Sequence, residues 1–119
     1  MQFDLFNDSQ SVAWRNDVIH AVAGADAVAA RLAWDTLRRN SPQDDALAPL
    51  QVLVASIEAH TTVPFHSHVV LAVARHVLLQ SIAPAAQRTM GAVDAAVWLR
   101  ARWQELAQRA ARLRLARHD

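Results

Sequence analysis

From Ala92 to Leu113 the apolar residues of this chain recur four and three positions apart, as Ala92, Ala96, Leu99, Trp103, Leu106, Ala110 and Leu113. On an α-helix this spacing gathers the side chains into one regular seam that another helix can cover. At ~1.5 Å per residue, a helix over 92–117 reaches roughly 40 Å. That exceeds what shorter neighbours can cover, so its end must dock elsewhere or fray. The pattern runs on without a capping glycine. Residues 1–119 therefore read as a single helical domain that would also suit the front of a longer helical-repeat array.

The rest of the chain points to helix as well. Alanine dominates and loses no side-chain entropy on folding, while only two glycines occur among 119 residues. Both glycines, Gly24 and Gly91, sit between periodic apolar segments, where helix ends need a permissive backbone. No window alternates apolar and polar residues long enough to argue for a strand. The expected fold is all-α, with four to five helices in antiparallel hairpins, as an α-α repeat or a bundle, and a long C-terminal helix.

Asp8 and Ser9 are suited to cap a first helix ending near Val22, with Trp14, Val18, Ala21 and Val22 on one face. A second helix over about 25–39 should bury Ala30, Ala33, Trp34 and Leu37 and pair Arg31 with Asp35 outside. Pro42 ends it, and Asp44 and Asp45 open a third helix with Leu47, Leu50, Leu53, Val54 and Ile57 inward. Pro49 must lie in the first turn or kink it. A fourth helix over about 65–82 is apolar nearly all round, the pattern of a central, buried element. Pro84 and Gly91 then bracket an irregular link.

Trp14, Ala30, Trp34 and Pro42 fall where a tetratricopeptide-type repeat carries an early aromatic, a packing alanine, a second-helix aromatic and a closing proline. Residues 11–45 resemble one such helix-turn-helix repeat. They depart from it at Val18, Ala21 and Leu37, where the family prefers a small residue, tyrosine and alanine. The resemblance implies a binding scaffold with a concave surface lined by the first helix of each pair. Arg15, Asn16 and His20 are then the candidate polar contacts to a protein partner, since the matched positions themselves are packing positions.

Other chemistries find little support. There is no cysteine, which removes disulfides and thiolate metal sites. The start, Met1 to Phe6, lacks the basic and long apolar run of a secretion signal, and no segment approaches the ~20 apolar residues that span a bilayer. A cytoplasmic protein without membrane contact is expected. His66 and His68 are two apart and so diverge on a helix. His68 and His76 are about 12 Å apart by helical rise, too far for one ion. No nucleophile elbow or glycine-rich phosphate loop occurs. A non-enzymatic protein without metal or cofactor is the expectation.

All twelve basic residues are arginine, a bias typical of high-GC coding in bacteria. Residues 1–87 hold five arginines against eight acids, and residues 88–119 seven against three. The tail is the basic part. Arg100, Arg102, Arg109, Arg112, Arg114 and Arg117, with Trp98 and Trp103 between them, support an alternative in which the last helix tracks a nucleic-acid backbone. The seam of Leu99, Trp103, Leu106 and Leu113 offers a different use, packing on the core or on a second copy in a homodimer. The leading expectation is a protein–protein interaction module of the helical-repeat kind.

Overall fold

The computed structural model describes the backbone of residues 2–116 and the side chains of residues 9–113. The protein is all helical, and no strand occurs among the described residues. Five helices follow in order: α1 Gln2–Ala23, α2 Ala27–Asn40, α3 Leu47–Glu58, α4 His68–Met90 and α5 Ala92–Ala116. They divide between two compact units, Met1–Ala59 with α1 to α3 and His60–Asp119 with α4 and α5.

In the first unit α1 and α2 form the expected hairpin. Val18, Val22, Ala30 and Leu37 are fully buried, with Trp14, Ala21, Ala33 and Trp34 half-buried beside them. α3 adds Pro49, Leu50, Leu53, Val54 and Ile57 to the core. Pro49 lies in the first turn, where its missing N–H would have had no helical partner. The Trp34 indole N–H donates to the Leu47 carbonyl at 2.9 Å and so ties α2 to the start of α3.

The helix starts differ from the expected ones. The α1 backbone is already helical at Gln2, so Ser9 lies inside the helix; the Asp8 side chain lies outside the described residues. α2 starts at Ala27 and not near residue 25, capped by Asp26, whose Oδ1 accepts the Ala29 N–H at 3.0 Å. Asp44 accepts the Ala46 N–H at 2.8 Å just ahead of α3, while Asp45 makes no cap bond to that helix.

The second unit is a helical hairpin. Ser67 caps α4 through its Oγ, which accepts the Val69 N–H at 3.1 Å. The helix does not end near Ile82 as its sequence suggested. A π-helical turn over Leu78–Ile82, with the Ala83 N–H bonded to the Leu78 carbonyl, inserts one extra residue ahead of Pro84. Widening the turn there accommodates a ring that would collide with the carbonyl four residues back. The helix then continues to Met90, and Gly91 turns the chain with φ 85°.

The core of this unit holds Phe65, Leu78, Ala85, Ala86, Ala95, Trp98, Leu99 and Leu113. The buried line of α5 is therefore rotated from the one its spacing suggested. Ala92 and Ala96 are exposed, Trp103, Leu106 and Ala110 half-buried, and Ala95 with Trp98 take the inner positions. At the far end the Phe65 N–H donates to the Arg109 carbonyl at 2.9 Å, and the Arg109 guanidinium stacks 3.9 Å from the Phe65 ring centre.

The turn between α1 and α2 carries a mismatch of one residue. Asp26 N–H reaches the Ala21 carbonyl at 2.9 Å and Ala25 N–H the Val22 carbonyl at 3.0 Å, the paired bonds of a Schellman end. The left-handed position belongs to Ala25, φ 57°, and not to Gly24. A left-handed alanine costs about 1–2 kcal/mol, of which glycine's unfolded-state entropy offsets part. Ala25→Gly should therefore stabilise the protein by roughly 0.5–1 kcal/mol and raise its melting temperature. A lower melting temperature would show that the turn is not held in this conformation.

Candidate interaction surface

α4 is the element whose surroundings differ most from expectation. Its first ten residues, His68–Val77, contain no buried residue at all. Val69 is 72% exposed and Val73 58%, with Val70, Val77 and Leu79 also exposed. The helix turns Leu71, Ala74 and Leu78 toward the interior of its unit, leaves Val69 and Val73 on the opposite side, and carries Val70 and Val77 at the edge between. The sequence expectation of a central, buried helix fails because a two-helix hairpin supplies one packing partner, and one partner covers one face.

The face is also one-sided in charge. Between Glu58 and Asp94 the chain has no acidic residue, while Arg75, Arg88, His60, His66, His68 and His76 fall in that interval. Exposed apolar surface of this kind is where association is expected, since soluble surfaces rarely keep contiguous apolar patches open. The continuous helix His68–Met90 is, by length and composition alone, long and apolar enough to cross a bilayer. This corrects the reading that no segment approaches that length; the π-helical turn joins two shorter stretches into one.

The sequence-derived partner residues lie on α1 in the first unit. Asn16 and His20 are exposed. Arg15 is instead engaged, its Nε 3.2 Å from Oδ2 of Asp44, whose side chain is 8% exposed. Near it, Ser11, Trp14, Asn40, Ser41, Pro42 and Gln43 line an open cavity of about 300 Å³. Ser11 Oγ donates to Ser41 Oγ at 3.2 Å across it, so the two hydroxyls satisfy each other.

The arginines of α5 divide. Arg100 and Arg112 are exposed. Arg102 pairs with Glu105 at 3.0 Å and stacks 4.9 Å from the Trp98 ring centre, and Arg109 Nε donates to the Val63 carbonyl at 2.7 Å. Two of the arginines considered for a nucleic-acid backbone are thus committed inside their own unit. The Arg114 and Arg117 side chains lie outside the described residues. Leu99 and Leu113 of the suggested self-association seam are buried within the protein, and Trp103 and Leu106 are half-buried.

Arg31 joins α2 to α3 through side-chain hydrogen bonds to two residues. Its Nε and Nη2 donate to the two Glu58 carboxylate oxygens at 2.9 and 2.7 Å, and Nη1 donates to Gln51 Oε1 at 2.7 Å. It also lies 5.2 Å from the Trp34 ring centre. The partner is therefore Glu58 on α3 and not Asp35 one turn away, because the two-pronged guanidinium matches a carboxylate presented across the helix pair. The Arg31 hydrogen bonds lower the Glu58 pKa below the ordinary carboxylate value, and the same bonds raise that of Arg31.

No group of three or more histidine, aspartate or glutamate side chains that could hold a metal ion occurs among the described residues. His60 Nδ1 lies 3.7 Å from Glu105 Oε2, a contact that becomes an ion pair only on protonation. Comparison with family models, curated proteins and solved structures finds no match to this chain.

The exposed valine face of α4 had a visible signal, the scarcity of polar residues in 69–79, where only Arg75 and His76 interrupt the apolar run. What periodicity did not supply was the number of helices available to cover it.

Two outcomes follow from the polar groups. A carboxylate with a lowered folded pKa contributes stability above its unfolded pKa, and loses it as pH falls through the folded value. Glu58→Gln should thus melt below wild type at pH 7, with the gap closing as pH drops beneath the carboxylate range; a gap constant with pH would exclude the ion pair. The Trp98 indole N–H is buried without a partner among the described residues. Trp98→Phe keeps an aromatic ring and removes that donor, so its stability should stay within about 1 kcal/mol of wild type. Trp98→Ala should lose about 3–5 kcal/mol. Equal losses for both variants in urea titrations would mean the N–H is satisfied after all.

Proposed function

We propose that this chain is a non-enzymatic protein–protein interaction module whose docking surface is the exposed valine face of α4. The observation that carries the reading is the uncovered line of Val69, Val73 and Val77 on a helix with no buried residue over its first ten. Burying such side chains is the usual driving force of association, at about 25 cal/mol per Å² of apolar surface removed from water. The flanking Arg75, His68 and His76, with no acid nearby in sequence, favour a partner that brings apolar residues bordered by carboxylates.

The likeness of residues 11–45 to a tetratricopeptide-type repeat supports the same class of function, with Asn16 and His20 as exposed contacts on α1. A bilayer-spanning use of α4 fits less well. It would place Arg75, Gln80 and Gln87 in hydrocarbon along with the valines, where each is costly. The nucleic-acid alternative keeps Arg100 and Arg112 but not the engaged Arg102 and Arg109.

A photo-crosslinking amino acid placed at Val73, with a control at exposed Gln108 of α5, tests the surface in cells. The expected result is a discrete protein adduct from position 73 that the control does not give. No adduct above the control would remove α4 as a docking surface.

A further inference from the structure

The two units carry opposite charge. Met1–Ala59 holds four arginines and eight acidic residues, for a formal charge of −4. His60–Asp119 holds eight arginines and three acidic residues, for +5. Pairing α4 with α4 of another copy would bring two positive units together, a like-charge arrangement that suppresses association. The favoured occupant of the α4 face is an apolar surface in a negative setting.

The first unit presents such a surface. On α2, Val28 is 72% exposed and Leu32 62%, one turn apart on the same side of the helix. Asp26 caps the helix just before this pair and Asp35 follows one turn after it. Arg31, the cation nearest in sequence, is turned away to Glu58. Arg39 folds back one turn, its Nε donating to the Asp35 carbonyl at 3.3 Å, and Arg38 lies 5.8 Å from the Trp34 ring centre, so the negative setting rests on the −4 charge of the unit rather than on Asp35 alone.

We infer that the α4 face of one copy is covered by the Val28–Leu32 face of a second copy, in a head-to-tail contact joining unlike units. This rests on the reading of α4 as a docking surface and names its occupant. Because the contact is heterologous, each copy donates one face and receives on the other. Unlike charges on the two units steer encounter and fix which surfaces meet.

The arrangement has a signature that other occupants lack. Leu32→Arg disables only the α2 face, and Val73→Asp disables only the α4 face. Both residues are exposed, so both variants should fold, which circular dichroism checks. By light scattering across concentration, wild type should exceed monomer mass, and each variant alone should be monomeric. An equimolar mixture should recover association, because the intact α4 face of one variant meets the intact α2 face of the other. Raising salt from about 50 to 500 mM should weaken wild-type association several-fold, as screening shortens the reach of the charges.

A monomeric wild type at every concentration overturns the inference. So does loss of association in Val73→Asp with none in Leu32→Arg, which would mean like faces pairing. The crosslink from position 73 separates this outcome from failure of the docking surface itself. An adduct to a different protein, with a monomeric wild type, leaves α4 as an interaction surface and removes only the second copy.

Discussion

Two helices can cover only one face of each other, and the second unit of this protein contains two helices. The exposure of α4 follows from that limit. Its sequence from Val69 to Leu79 offers apolar side chains in nearly every direction, yet α5 accepts only the side that carries Leu78, Ala85 and Ala86. The remaining valines stay exposed. A third helix would have removed them, as α3 does for the hairpin of α1 and α2, where Val18, Val22, Leu37, Leu50 and Leu53 reach zero exposure. The contrast between the units is one of helix count, not of hydrophobicity.

The first unit also shows what fixes a small helical core once the apolar faces are in register. Burial is indifferent to small rotations of a helix, whereas hydrogen bonds are not. Arg31 grips both Glu58 oxygens and Gln51, and the Trp34 N–H holds the Leu47 carbonyl. Each contact joins elements that are separate in sequence. Together they set the angle at which α3 closes the hairpin. Glu58 sits at the last residue of α3 and is partly exposed, so its value lies in geometry more than in net energy.

Much of this was legible in the residues. Helix identity, the inner faces of α1, α2 and α3, the position of Pro49 and the long last helix all follow from periodicity and proline chemistry. The failures share a cause. Periodicity reports which positions are apolar but not how many neighbours exist, so α4 read as central. Gly24 marked a turn correctly, but the left-handed residue is Ala25, because the Schellman bonds from Asp26 and Ala25 set the register and not the glycine. Pro84 read as a stop because a proline inside a helix needs a compensating defect, and the π-helical turn that supplies it has no clear mark in composition. The arginines of α5 read as one basic set, although two of them close local contacts with Glu105 and Val63.

The charge division gives the unfinished hairpin a further consequence. An apolar face alone is promiscuous, since hydrophobic burial has no direction and little selectivity. Placed in a unit of +5 and in a stretch short of acids, the same face disfavours surfaces of like sign, including the α4 face of a second copy. Specificity then comes from what is excluded as much as from what is bound. On the proposed contact, a chain that keeps its acids in the unit of three helices and its open valines in the unit of two would carry both a receptor surface and its complement. A heterologous contact of the proposed kind would grow into a chain of copies wherever it failed to close on itself. The modest size of the Val28–Leu32 pair would limit the strength of each step and so make such growth dependent on concentration and salt.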